Sequence, residues 1–598
     1  MERARGTTPD RPRERAPEPA LELLVHGVGG ATPEKMLNDP RTVRITGDDT
    51  AAVYRRAEDV DAERGPGDRR SGPVPEAYVW SNLTSGDGTR ALWLLLLPFM
   101  VVNLAHWMRP GARGRPRAVR LYGLLVRLAA LTLTVLLVAA VCEVALDLTA
   151  WQCAGTPACA ARHSWLGFLA AAGPHDGWWS RPGRRLALAA VLPAVLTALL
   201  WYLSHRTWSA YESQQPLVHA AGPEPRADRT ALGRPGFWYG RRLVARLRAA
   251  HTAAGLLTVA AAVAAPAARF DRRPGGPAAL DTLGRLLEAA LVAAAVGVVW
   301  VVCRRGRSEH RLDRALDGHL VHRLPPAALA LLLLLLSLVY AGWERPHWRS
   351  HGRLAGDATF GTLALAQGLI VLALAAVAHV LYRSDPAPRT VLRGLAGPAV
   401  ALLACALGGV MSGGVSQRVA DWLDGTKTSI PGPPVLLTWQ ASVIPALLAV
   451  LLVLCGGLGH AVWRLRRAER AAVDRDYPAE TKDPARTRRI AGARALASLT
   501  DRGPLVIAVT AGTTLLLGTA ALVGALSTGR TPAGAADGTP ALLHGAADAA
   551  QALGSWLIGL GFIVFVTWGR RAYKDATARR TIGILWDVGT FWPRAAHP

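Results

Sequence analysis

The stretch from Pro325 to Trp343, PPAALALLLLLLSLVYAGW, has no charged side chain over nearly the ~20 residues that an α-helix needs to cross a bilayer. Similar apolar runs recur at 91–107, 121–141, 186–203, 249–268, 283–302, 360–381, 391–411, 435–462, 505–526 and 553–568. Hydrocarbon offers no hydrogen bonds, so each backbone N–H and C=O inside it must pair within its own helix. The runs therefore predict an all-α polytopic membrane protein with about ten transmembrane helices, its partner being the lipid bilayer. The first run is only 17 residues long, contains Pro98 and Asn103 and ends in His106 and Trp107, which predicts a re-entrant or interfacial helix.

Orientation follows from the basic residues of the connections. Taken alternately from Met108 onward, one set of connections carries well over twice as many Arg and Lys as the other. By the positive-inside rule that set is cytoplasmic, as is the tail after Trp568 with Arg570, Arg571 and Lys574. The segment before Ala91 holds 14 Arg or Lys and no secretory signal, so it too is expected to stay inside. The expected location is a bacterial plasma membrane, with both termini cytoplasmic.

The formal charge of +25 invites a nucleic-acid reading. However, only four of the 68 basic residues are lysines, and the arginines sit mostly between apolar runs, which is topology rather than a phosphate-binding face. Abundant Ala, Gly, Arg and Pro also fits a GC-rich bacterial genome. No nucleic-acid partner is expected. The connection from Trp463 to Arg502 is the longest charged cytoplasmic segment, and it reads as a solvated helix and linker beside anionic headgroups, or as a docking surface.

Of the six cysteines, Cys142, Cys303, Cys405 and Cys455 fall in or beside apolar runs, as small buried hydrophobes do. Cys153 and Cys159 share a polar loop, WQCAGTPAC, and can close a disulfide if that loop faces an oxidising compartment. Ionisable residues within the apolar runs are sparse. Arg127 and Glu288 lie inside two of them, and Glu143 and Asp147, one turn apart, lie near the outer end of another. Such charges mark ion or proton paths by default, although most of these are close enough to an interface to snorkel. No Walker loop, HExxH, CxxC pair or dinucleotide fingerprint occurs, so no cofactor and no metal site is expected.

Residues 1–20 alternate charge and proline and predict a disordered tail. Residues 21–90 predict a small cytoplasmic α/β element with strands at Leu21–Val25, at TVRI from Thr42, and at EAYVWSNL from Glu76. The transmembrane region spans 91–568, and a cytoplasmic segment, 569–598, follows. Within the first strand-turn lies His26-Gly27-Val28-Gly29-Gly30, in which glycine allows close backbone approach and leaves N–H groups free. This HGVGG resembles the oxyanion loop of lipase- and esterase-type α/β-hydrolases, and YVWSNL looks like the next strand of such a sheet. The resemblance implies that the backbone around Gly27 to Gly29 donates to a developing oxyanion, with a structural role for His26. It covers only 60 to 70 residues, and the Gly-x-Ser-x-Gly nucleophile elbow that such hydrolases need occurs nowhere in the sequence.

The final apolar stretch, TIGILWDVGTFWPRAAHP from Thr581, reads either as the start of a domain or as an interfacial aromatic anchor. In the first case the sheet, with its nucleophile, is completed by a missing C-terminal domain or by a partner chain. Two functions are therefore open. One is an incomplete or inactive membrane-anchored hydrolase-like protein directed at lipids or esters; the other is a non-catalytic transporter, lipid-handling protein or scaffold.

Overall fold

The structure, a computed structural model, describes residues 21–25, 32–47, 52–61, 74–79, 97–111, 114–170, 177–211, 241–304, 326–354, 356–386, 390–425, 429–476 and 484–574. The chain divides into two compact units, Met1–Ala91 with Val566–Phe591 and Leu92–Phe565 with Trp592–Pro598.

In the first unit four strands, β1 (Leu21–Val25), β2 (Thr42–Gly47), β3 (Ala52–Arg56) and β4 (Val74–Val79), form a sheet in the order β1-β4-β3-β2. β1 and β4 are parallel, with Val25 beside Tyr78. The β2–β3 hairpin joins the far side of β4 antiparallel, giving one more strand than the sequence reading drew. A short helix, α1 (Pro33–Leu37), starts on a proline, whose fixed φ suits a first turn, and ends on Asn38 in the left-handed region (φ 51°). It lays Leu37 against Ala77 and Val79, with Leu24, Met36 and Tyr54 around them. The sheet's buried charge is matched: the guanidinium of Arg55 donates to Glu76 at 2.6 Å. Arg56 donates to the Leu37 carbonyl at 3.0 Å and so satisfies one of the carbonyls left over at the end of α1.

The second unit is helical. After α2 (Leu97–Trp107) come α3 (Pro116–Cys142), α4 (Pro182–Ala189), α5 (Val191–Tyr211), α6 (Arg241–Asp271), α7 (Ala278–Arg304) and α8 (Pro326–Gly342). They are followed by α9 (Asp357–Ser384), α10 (Ala396–Asp424), α11 (Val435–Ser442), α12 (Ile444–Asp476), α13 (Pro484–Ala497), α14 (Gly503–Thr528) and α15 (Ala541–Lys574). Among the described residues nine helical stretches are long and apolar enough to cross a membrane, and two shorter apolar helices cover Leu97–Trp107 and Ala327–Gly342. The chain is an integral, multi-pass helical membrane protein with a small α/β element. Of the ten crossings expected from the sequence, nine fall on the long stretches and the tenth on the 17-residue α8, roughly 25 Å of helix. α8 packs on α6, where small residues (Ala260, Ala264, Ala267) let the two backbones approach and bury Ala330, Leu333 and Ala341. In α2, Val102 and Ala105 are buried against α3 and α10, and the Tyr122 hydroxyl donates to the Ala105 carbonyl at 2.7 Å.

Among the described residues the connections gather at two ends. Gly111 lies beside Asp385, and Gly394 beside Pro110, joining the connections after α2 and α9. The connections before α4, after α8 and after α10 meet at the other end. There Asp271 and Arg345 form an ion pair with both side chains fully buried, Nε to Oδ1 2.8 Å and Nη2 to Oδ2 2.8 Å. The Tyr340 hydroxyl donates to Oδ2 at 2.6 Å, and Arg345 Nη1 donates to the carbonyls of Tyr340, Ala341 and Trp343, which would otherwise be left over at the end of α8. Removing one partner strands a buried charge. Asp271→Ala should therefore cost about 3–5 kcal/mol, read as a fall in the unfolding midpoint in detergent. Arg285→Ala, which breaks an exposed pair with Asp281 on α7, should leave the midpoint unchanged. Equal effects of the two would contradict this weighting.

Candidate functional site

The sequence candidates separate in the structure. His26, Gly27, Val28, Gly29 and Gly30 lie outside the described residues, as does the segment from Thr581. What is described is their approach: β1 ends at Val25, and its parallel partner β4 ends at Val79 on the same edge of the sheet. In open α/β sheets this carboxyl edge is where ligands bind.

Cys153 and Cys159 are joined as a disulfide with a Cα–Cα distance of 5.1 Å, and both are fully buried. Cys153 does not sit in a polar loop as the sequence implied. It ends a π-helical continuation of α3 that runs from Glu143 to Cys153, an unusual length for a geometry ordinarily confined to one turn. The wider winding shows in the i to i−5 bonds from Ala154 N to Thr149 O (2.9 Å) and from the Thr149 hydroxyl to Val144 O (2.7 Å). Gly155 turns the chain with its α-carbon against the Trp151 carbonyl and Ser350, a place where any Cβ would collide.

Around this segment the end of the bundle is knitted by polar side chains. Asp147 accepts from Leu354 N at 2.9 Å, and the Trp151 indole donates to the His351 carbonyl at 3.4 Å. The Gln152 amide grips the backbone of Gly432 from both sides, donating to its carbonyl (3.1 Å) and accepting from its N–H (3.0 Å). Arg353 donates to the carbonyls of Gly432 and Pro431. Arg162 binds Asp424 at 3.0 Å and the Ser429 hydroxyl at 2.6 Å, and Arg185, 1% exposed, donates to the Ser350 hydroxyl at 2.6 Å. Three connections distant in sequence thus satisfy one another's backbone groups.

The same geometry limits the chemistry. Cys153, Cys159 and His163 bring their ligand atoms within 4.8 Å of one another, but sulfurs joined to each other are not thiolates and do not ligate a metal. His163 faces the Leu423 carbonyl at 2.9 Å instead of a nucleophile. Among the described residues the one hydroxyl–histidine contact is Thr134 to His251, 2.6 Å, and no carboxylate orients that ring as a triad requires. Glu288, read as an intramembrane charge, is held by Arg272 in a two-pronged ion pair, with Nη2 to Oε1 at 2.9 Å. Arg127 donates to the Gly123 carbonyl on its own helix. Sequence reasoning missed the roles of Arg185, Asp271 and Arg345, whose partners are fixed by folding across tens to hundreds of residues.

A disulfide this deeply buried should resist labelling. In intact cells Cys153 and Cys159 are expected to take up maleimide only after reduction under partly denaturing conditions. Equal labelling with and without reductant under those denaturing conditions would contradict the bond. No protein-family model, curated protein or solved structure matches this chain.

Proposed function

We propose that this membrane protein anchors an α/β-hydrolase-like oxyanion turn at the cytoplasmic face, and that it is catalytically incomplete by itself. The supporting observation is the parallel β1–β4 pair, because β1 ends at Val25, the residue before the motif in sequence, at the carboxyl edge of a sheet. Among the described residues the other edge of β1 is unpaired, which leaves room for strands of a partner chain. The sequence has no Gly-x-Ser-x-Gly elbow, so the nucleophile has to come with that partner, and lipid or ester substrates follow from the resemblance alone. A second reading, a non-catalytic bundle that handles lipid, draws on the ion pairs: the carboxylates of Asp271 and Glu288 are both neutralised, which does not suit the coupling of ion flow.

Purified alone in detergent, the chain should neither react with a fluorophosphonate probe nor cleave short-chain esters. Isolated from native membranes with its partner, it should bring a probe-reactive serine on the other chain. His26→Ala with Gly29→Val should then lower ester cleavage about 10²–10³-fold, the usual loss for one oxyanion donor. Stoichiometric labelling of a serine in this chain, or cleavage by the complex that ignores the double substitution, would overturn the proposal.

A further inference from the structure

A third ligating side chain stands against the disulfide of Cys153 and Cys159. His163 brings a ring nitrogen, and the two cysteines their sulfurs, to within 4.8 Å of one another. The backbone produces that meeting. Cys159 lies in a short helical turn, Pro157–Ala160, whose coiling continues through the bonds from Ala161 N to Pro157 O (3.0 Å) and from His163 N to Ala160 O (3.1 Å). Cys159 and His163 are therefore one turn apart on the same face, the spacing at which two side chains of a helix ligate one ion. Cys153 reaches the same point from the end of the π-helical segment, its Cα 5.1 Å from that of Cys159. The Leu423 carbonyl oxygen completes the group from α10, 2.9 Å from His163 Nε2 and 3.5 Å from Cys159 Sγ. The Trp422 ring, its centroid 5.0 Å from that of His163, packs against the imidazole.

While the sulfurs are bonded to each other they ligate nothing, and reduction changes that. A dithiol reductant supplies two electrons and two protons: the S–S bond breaks, two thiols form, and the reductant leaves as its own disulfide. A divalent cation then displaces the two thiol protons and is held by two thiolates and a neutral imidazole. The sulfur and nitrogen ligands of a four-coordinate zinc stand about 3.5–4 Å apart, given bonds of about 2.3 and 2.0 Å. The three side chains are already within that reach of one another, and rotation about the Cα–Cβ bonds parts the sulfurs. The fourth position falls to the Leu423 carbonyl or to water. Charge decides among the thiolate-seeking metals. Cys153 and Cys159 are fully buried, and two thiolates with zinc(II) sum to zero, whereas copper(I) would leave a negative charge uncompensated there. The neighbouring Arg162 does not alter that balance, since its guanidinium is paired with Asp424 at 3.0 Å.

We propose that Cys153, Cys159 and His163 form a redox-gated zinc(II) site, closed to metal while the disulfide stands and opened by its reduction. The test uses the full chain, reduced with a phosphine under partly denaturing conditions, returned to nanodiscs and titrated with cobalt(II) as a coloured stand-in for zinc(II). The reduced chain should take up a single cobalt with the strong visible absorption of a four-coordinate ion, and the oxidised chain should take up none. Uptake should release about two protons per metal, and zinc(II) should displace the cobalt. His163→Gln keeps the disulfide for folding, keeps both thiols on reduction and can still donate to the Leu423 carbonyl. It should weaken cobalt binding by more than the about 10–100-fold that loss of a group outside the ligand set costs. Cys153→Ser with Cys159→Ser should abolish the absorption although the free cysteines Cys142, Cys303, Cys405 and Cys455 remain, and His163→Gln carries the test if that variant does not fold. No four-coordinate absorption in the reduced chain, equal absorption in the oxidised chain, or binding unchanged in either variant would overturn the site.

Discussion

Hydrocarbon cannot hydrogen-bond, and that constraint governs where this chain is regular and where it is not. The helices pair their own backbone. The irregular connections have no such recourse, and at the end that carries the disulfide side chains complete them: Gln152 takes both backbone groups of Gly432, Arg353 takes two further carbonyls, and Arg345 takes three at the end of α8. Arginine suits this role because one rigid fork offers five donors, so a single residue closes several carbonyls while remaining paired with a carboxylate.

The buried pair of Asp271 and Arg345 serves this closure. Desolvating two ions is unfavourable, and an isolated pair of this kind adds little to stability. Here the same guanidinium also lies over the rings of Tyr340 and Trp348, and the Tyr340 hydroxyl completes the carboxylate. Trp348 in turn contacts Trp151 at 5.8 Å, so the ion pair and the π-helical segment share one aromatic core. The disulfide from Cys153 to Cys159 then holds the chain where the π-helix stops.

Much of this architecture was legible in the sequence. Apolar runs of bilayer length with few charges mark the crossings because burial in lipid requires them, and the six-residue separation of Cys153 and Cys159 in a turn-forming stretch permits their bridge. The π-helix was not legible, since 121–141 ends its apolar run before Glu143 and nothing in EVALDLTAWQC distinguishes a wider winding from a loop. The Asp271–Arg345 pair was equally hidden: each residue sits among other arginines and aspartates just past an apolar run, and only packing of α8 on α6 selects the partners. In the α/β element, strand existence could be read from β-prone residues, but the insertion of the β2–β3 hairpin beside a parallel β1–β4 pair depends on long-range pairing.

If three connections and the π-helix close one another, they should open together. Hydrogen exchange in nanodiscs, followed by mass spectrometry before and after reduction of the disulfide, tests this most directly. The account predicts that the segments 143–170, 343–354 and 429–434 exchange at a common slow rate and that reduction accelerates all three. Acceleration confined to the residues between Cys153 and Cys159, with the other two segments unchanged, would contradict it.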